Sequence, residues 1–310
     1  MVHCNRKPSS AVVNYNSKID DLLGNKRMTV TAADQINLST PTNVDYVKLL
    51  HHLSFSSISN YMSCPYSFKL KYLDEIKAEK DGPSEHTEFG HVIHSTLEQY
   101  LKTREMPHLE GIKTNLNEMF SKLPNADKLK EVDWHDTIEP ILSEMPEFME
   151  KTFGTNWKYV ASELPLMESI DGYDQLKFKG FIDGVIETTN NKKGEKLTWI
   201  IDYKTCSYFW PFAKRIDPKK TFQLVFYKYF YSRKFNIPME SIRCGFVLLH
   251  RTTQPGTHCL LVTVSVGEKT IEKALGTIDK MMAYTKKRMF PKNYEGCTYC
   301  AFRDTKYCTR

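Results

Sequence analysis

Asp183, in the segment GFIDG, and the pair Asp202 and Lys204, in IIDYKT, are the first residues of this 310-residue chain to suggest a reaction. Residues two apart on a strand point to the same face, so Asp202 and Lys204 project together if IIDYKT is extended. Asp183 can join them if GFIDG forms the neighbouring strand. Hard divalent cations such as Mg²⁺ take oxygen ligands and keep several waters, so converging carboxylates with room for a phosphate make a suitable site. A metal held there lowers the pKa of its water and neutralises charge on a scissile phosphate, while a nearby ammonium positions or polarises the attacking water. Lys204 is the candidate for that last role. An acidic-x-Lys tripeptide is also an ordinary feature of exposed strand edges. Here the carboxylates are flanked by Phe181, Ile182, Ile200 and Ile201, and burying them beside such residues is costly unless they are paired or bind a metal.

The hydrophobic pattern predicts the elements that carry these groups. After Trp157 the periodicity turns from helical to alternating, with strands predicted at WKYVASELPL, LKFKGFIDGVIE and LTWIIDYKT. Turn signals at Asp171-Gly172 and at Asn190, Asn191 and Gly194 make these a three-stranded meander. A helix over about 218–235 and strands around 242–250 and 258–264 follow, and then an amphipathic helix with Ile271, Leu275, Ile278, Met282 and Met289 on its apolar side. Upstream, SFSSISNYMSCPYSFKLKYL predicts a helix capped by Ser54 or Ser56 and interrupted at Cys64-Pro65. EHTEFGHVIHSTLEQYL predicts another, with Phe89, Val92, Ile93, Thr96, Leu97 and Tyr100 on one face and His94 beside that stripe. Two more helices are predicted around 112–122 and 135–152. There is no internal repeat and no GxxxxGK[ST] loop of the kind that would indicate a built-in motor.

Composition sets the outer bounds. A hydrophobic fraction of 41% and a charged fraction of 26%, without a long apolar run, are those of a soluble protein that does not span a membrane. Residues 1–20 lack a signal or transit pattern, so the expected compartment is the cytoplasm. The net charge of +6 allows a polyanionic partner without demanding one. In a reducing compartment, eight cysteines do not suggest a disulfide framework, and the closely spaced Cys297, Cys300 and Cys308 of GCTYCAFRDTKYC read better as metal or cluster ligands. Cys4, Cys206, Cys244 and Cys259 read as ordinary small residues.

An aspartate on one strand followed by Asp-x-Lys on the next resembles the active-site arrangement of the PD-(D/E)xK nucleases. Other elements, in the same order, are similar to the RecB-like and AddB-like branch and to the iron-sulfur nucleases associated with CRISPR systems. FGHVIHSTLE resembles their Gly-x-x-x-His helix, which puts Gly90 and His94 in those places and implies that His94 binds metal. FQLVFY resembles their Gln-x-x-x-Tyr helix, with Gln223 and Tyr227 one turn apart and implied to position the DNA strand or the catalytic lysine. Glu163 matches a further acidic position. The family's fourth cysteine lies in a Cys-Pro element before the histidine helix, and Cys64 in SCPYSF fits. The resemblance thus implies a [4Fe–4S] cluster on Cys64, Cys297, Cys300 and Cys308, with a four-cysteine zinc site as the alternative of identical ligand inventory. The seven residues between Cys300 and Cys308 exceed the family's usual spacing.

The resemblance implies an α/β, restriction-endonuclease-like core with a central mixed β-sheet flanked by helices, plus a helical iron-sulfur region. Residues 1–53 are then a variable extension, 54–156 a helical region with the first cluster cysteine and the metal-binding histidine, 157–290 the nuclease core, and 291–310 a cysteine segment packing with 58–72. Glu163, Asp183, Asp202 and His94 would hold one or two Mg²⁺ or Mn²⁺ ions. The implied activity is DNA exonuclease, with an endonuclease component, serving recombination, repair or replication beside partner proteins of those processes. The rival is a non-catalytic iron-sulfur or zinc-stabilised DNA-binding subunit of a larger complex. In SYFWPFAKRIDPKK, Tyr208 and Trp210 interleave with Lys214 and Arg215, as in sequence-tolerant binding of single-stranded DNA. A hydrophobic loop packed on the cluster region explains that stretch equally well.

Overall fold

The computed structural model describes residues 45–78, 82–124, 131–189 and 194–309. Residues 1–44, which hold most of the expected extension and Cys4, and the turn residues Asn190 and Asn191 lie outside the described residues.

In chain order the elements are α1 (Tyr46–Leu49), β1 (His52–Ser54), α2 (Phe55–Ser63), α3 (Pro65–Phe68), a π-helical turn (Lys69–Leu73), α4 (Glu85–Thr103), α5 (Leu109–Ser121), α6 (Glu131–His135) and α7 (Ile138–Phe153). The strand-rich half follows with β2 (Lys158–Ser169), β3 (Lys177–Thr189), β4 (Lys196–Cys206), α8 (Phe212–Arg215), α9 (Pro218–Phe235), β5 (Ile242–His250), β6 (Cys259–Thr263) and α10 (Glu268–Lys286). No described helix is long and apolar enough to cross a membrane.

The predicted meander forms, with β2 antiparallel to β3 and β3 antiparallel to β4. The six-stranded sheet runs β1-β3-β4-β5-β6 with β2 on the other edge of β3. β1–β3 and β4–β5 are parallel and the remaining pairs antiparallel, so the sheet is mixed. One face carries Phe178, Ile182, Ile200 and Phe246 against α9, α10 and α2, and the other carries Ile186, Ile201, Tyr203 and Val247 against α4, α5 and α7. The aromatic ladder of α9 illustrates the packing. Phe230 stacks on Phe178 with centroids 4.6 Å apart, and Phe226 lies 5.3 Å from the same ring. Each such ring contributes about 1.5–3 kcal/mol by leaving water.

Local chemistry explains the element ends. Ser54 caps α2, and Ser57 returns the bond to the Ser54 amide, a reciprocal box that selects Ser54 over Ser56. Pro65 drives the residue before it out of the helical region. Cys64 is accordingly extended, at φ −162°, which ends α2 and lets α3 restart on Pro65. The ends of the described chain correct the sequence reading at particular residues. Tyr46, Leu50 and Leu53, assigned to the extension, are buried in the main core. Met289, assigned to the apolar side of the last helix, is exposed beyond its end.

Candidate active site

The site arises where β3 and β4 separate. Their ladder ends at Gly184 opposite Ile201, after which β4 continues beside β5 to Cys206 while β3 runs on beside β2 to Lys177. Asp183 and Asp202 are the next residue of each strand, so both carboxylates sit in the fork. Divergence leaves the Tyr203 amide without a strand partner across the fork, and Asp183 Oδ2 accepts its hydrogen bond at 2.8 Å. This backbone contribution had no signature in the sequence.

From one side α4 delivers His94, whose Nδ1 lies 3.4 Å from Asp183 Oδ2. Glu163 comes from β2. Ser162 pairs with Gly184 and Leu164 with Ile182, so Glu163 lies across from Asp183. Its backbone is left-handed, at φ 46°, a conformation that costs a side-chain-bearing residue about 1–3 kcal/mol and persists where the surroundings impose it. The result is a donor group: one atom each of His94, Glu163 and Asp183, all within 4.8 Å of one another. From the other side Lys204 Nζ lies 2.5 Å from Asp202 Oδ2, and Gln223 Nε2, on α9, donates to Asp202 Oδ1 at 2.6 Å and to the Tyr227 hydroxyl at 3.2 Å.

The electrostatics suit a divalent cation. Burial, and then the charge of Asp202, hold the Asp183 carboxyl well above the usual range, and burial with Glu98 and Asp202 also raises Glu163. Burial pushes His94 down to about 4, so its imidazole is neutral at pH 7 and has a lone pair for a metal. Burial also pulls the Lys204 ammonium down, but Asp202 and Asp183 outweigh it and hold it above the ordinary lysine value. Crowded carboxylates that resist ionisation, next to a neutral imidazole, are the donor set a divalent ion would stabilise.

Two glycines differ in importance. A Cβ on Gly90, singled out in the histidine helix, would meet only Thr205 Oγ1 at an ordinary 3.8 Å, so sterics do not require glycine there. A Cβ on Gly180 would fall 2.6 Å from the Tyr227 ring. Glycine inside a strand signals such a close approach, and Gly180, which belongs to none of the sequence motifs, thereby sets the position of the Tyr227 ring. Gly180→Ala is expected to displace Tyr227 and slow turnover by up to about a hundredfold, on the scale of a 1 Å misplacement near a reacting centre. Steady-state kinetics with circular dichroism as a folding control check this, and wild-type kinetics in a folded variant would remove Gly180 from the site.

The aromatic loop after β4 divides into two kinds of residue. Tyr208 and Phe212 are 66% and 74% exposed. Trp210, assigned above to base stacking, is only 4% exposed and packs on Phe246 at 5.2 Å, so it is a core residue. Lys214 and Arg215 secure it, with the Lys214 ammonium 4.9 Å from its ring and Arg215 Nε donating to its carbonyl at 2.6 Å.

A second polar site lies at the chain's end. Cys64, Cys297, Cys300 and Cys308 line one small cavity. The segment bearing the last three is fastened to the α2–α3 junction, where Asn293 Nδ2 donates to the Ser63 carbonyl at 2.9 Å and the Asn293 amide to Cys64 Sγ at 3.4 Å. Gly296 allows the approach, because a Cβ there would lie 2.7 Å from the Ser63 carbonyl oxygen. The long Cys300–Cys308 spacing is taken up by a tight turn in which Asp304 is left-handed, at φ 58°, and Thr305 bridges Cys308. Cys206, Cys244 and Cys259 are buried small residues, as read from the sequence.

Comparison with known proteins places this geometry. The model of the PD-(D/E)XK nuclease superfamily matches residues 52–305. A solved structure of a candidate exonuclease from Eubacterium rectale superposes with a TM-score of 0.51 at 15% identity, covering 86% of this chain and 92% of that one, which establishes likeness of fold. No curated protein matches the chain.

Proposed function

The chain belongs to the PD-(D/E)XK nuclease superfamily, and from that premise we propose that it is a divalent-metal-dependent deoxyribonuclease acting mainly as an exonuclease. The observation that carries this is the His94, Glu163 and Asp183 donor group beside the Asp202–Lys204 pair in the strand fork. Oxygen donors suit Mg²⁺ and Mn²⁺, and the single imidazole favours Mn²⁺. The ion would supply an activated water and neutralise charge at the scissile phosphate. Asp202 adjoins the donor group and is aimed by Gln223, whose amide holds one of its oxygens. Lys204 presents its ammonium beside the same carboxylate, where it orients the attacking water and stabilises charge developing on phosphate. Tyr227 sets the amide of Gln223.

The substrate in this reading is single-stranded DNA, or a duplex with a single-stranded end. Exposed Tyr208 and Phe212 offer faces for unpaired bases. Cellular work in recombination, repair or replication, in the cytoplasm and beside partner proteins, completes the proposal. Cys64, Cys297, Cys300 and Cys308 hold a [4Fe–4S] cluster in the same reading, supported by their shared cavity. A zinc site on the same four thiolates is the alternative reading. The experiment is digestion of 5′- and 3′-labelled single and double strands with Mn²⁺ or Mg²⁺, against a chelator control. Metal-dependent shortening from an end is expected, and intact DNA under every condition would refute the activity.

A further inference from the structure

The edge of β3 that faces β1 and β4 changes partner along its length. It pairs with β1 through Lys179, opposite Ser54, and with β4 from Gly184, opposite Ile201. Between those ladders Gly180, Phe181, Ile182 and Asp183 have no strand partner on this edge among the described residues. The sheet therefore has a slot next to the fork. Tyr227 partly fills it from below, with a hydrogen bond to its hydroxyl from the Phe181 backbone. Above, a cleft of about 300 Å³ opens, lined by Phe181, Lys179, His52 and the first residues of α2, and sharing Gln223 and Tyr227 with the catalytic centre.

We propose that this cleft seats a nucleobase of the DNA strand next to the scissile phosphate, with Phe181 as its stacking platform and Lys179 against the adjoining phosphate. This rests on the nuclease reading above. Phe181 is 47% exposed, although it sits in the middle of a strand whose neighbours Phe178 and Ile182 are fully buried. It lies two residues before Asp183, so a strand's rise of about 3.3 Å per residue puts the two positions about 7 Å apart along β3, and it projects from the face opposite Gly180 and Ile182. That separation is within one nucleotide's reach along an extended single strand. Lys179 continues the same face two residues further on. Among the described residues no carboxylate pairs with it, so its charge faces the cleft. The ring is held by a strand, which distinguishes it from Tyr208 on its loop and Phe212 on the short helix α8.

The test is equilibrium binding to metal-free protein, read by fluorescence anisotropy with two labelled oligomers, oligodeoxythymidylate and a fully abasic backbone of equal length. Phe181→Ala is expected to weaken thymidylate binding by about tenfold, within the range for one lost base–aromatic stack, and to leave abasic binding unchanged. Phe181→Trp should restore affinity. Lys179→Ala should weaken both oligomers alike and lower the salt-dependence slope by about one. Equal loss on both oligomers for Phe181→Ala, or no loss on thymidylate, would overturn the subsite. Failure of the nuclease reading is seen separately, as no hydrolysis when the same wild-type preparation receives Mn²⁺.

Discussion

Lys204→Ala is expected to lower DNA cleavage at saturating metal by about 10²- to 10⁴-fold, the range for loss of a group that handles a proton or developing charge in the transition state. Lys204 donates no electron pair to the His94, Glu163 and Asp183 group, so Mn²⁺ affinity should stay near the wild-type value. Lys204 and Asp202 face one another at 2.5 Å, and Gln223 holds the other oxygen of Asp202. The variant therefore keeps an aimed carboxylate and loses only the ammonium. Calorimetric Mn²⁺ titration combined with single-turnover cleavage separates the two effects. A cleavage rate within tenfold of wild type would remove Lys204 from the reaction, and lost metal binding would make its role structural.

The second large effect is expected at Cys64. In the proposed cluster this residue joins the α2–α3 junction to the last turn of the chain, across the 233 positions from Cys64 to Cys297. By analogy with a disulfide closing so long a loop, the restraint is worth on the order of 5 kcal/mol, or about 10–20 °C in melting temperature for a domain of this size. Cys64→Ser should lose bound iron and the broad absorbance at the violet edge of the visible, and melt lower by that amount. The Asn293 contact to Ser63 survives the substitution, so complete unfolding is not expected. Full iron content and an unchanged melting temperature in Cys64→Ser would refute the four-cysteine assignment. A colourless wild type that releases zinc would replace iron with zinc.

Much of this could be read from the sequence because it lies in patterns of period 2 and 3.6. The strands around Asp183 and Asp202 and the helix bearing Gln223 and Tyr227 appear with ends within about three residues of their predicted limits. What the pattern could not supply is what tertiary pairing decides. β1 has three residues, of which only Leu53 is buried, and it is a strand because Lys177–Lys179 offers it an edge. The Lys69–Leu73 turn widens into a π-helix with no change in apolar spacing. Trp210 sits among cations and aromatics whether it stacks on a base or on Phe246, so composition could not separate the two. The left-handed backbone of Glu163 and the Tyr203 amide that anchors Asp183 are backbone features, and residue identity does not encode them. The slot beside Phe181 likewise depends on where two ladders end.

The proposed activity requires that carboxylates gathered in the strand fork hold the ion that drives cleavage. Its most direct test is the rate of hydrolysis of end-labelled single-stranded DNA as a function of Mn²⁺, for wild type and Asp183→Asn side by side. The asparagine keeps an oxygen to accept the Tyr203 amide and removes a charge that burial disfavours, so the metal-free variant should melt no lower than wild type. The expected result is saturable, Mn²⁺-dependent cleavage by wild type and background rates for the variant at every concentration. Wild-type rates from Asp183→Asn would contradict the account.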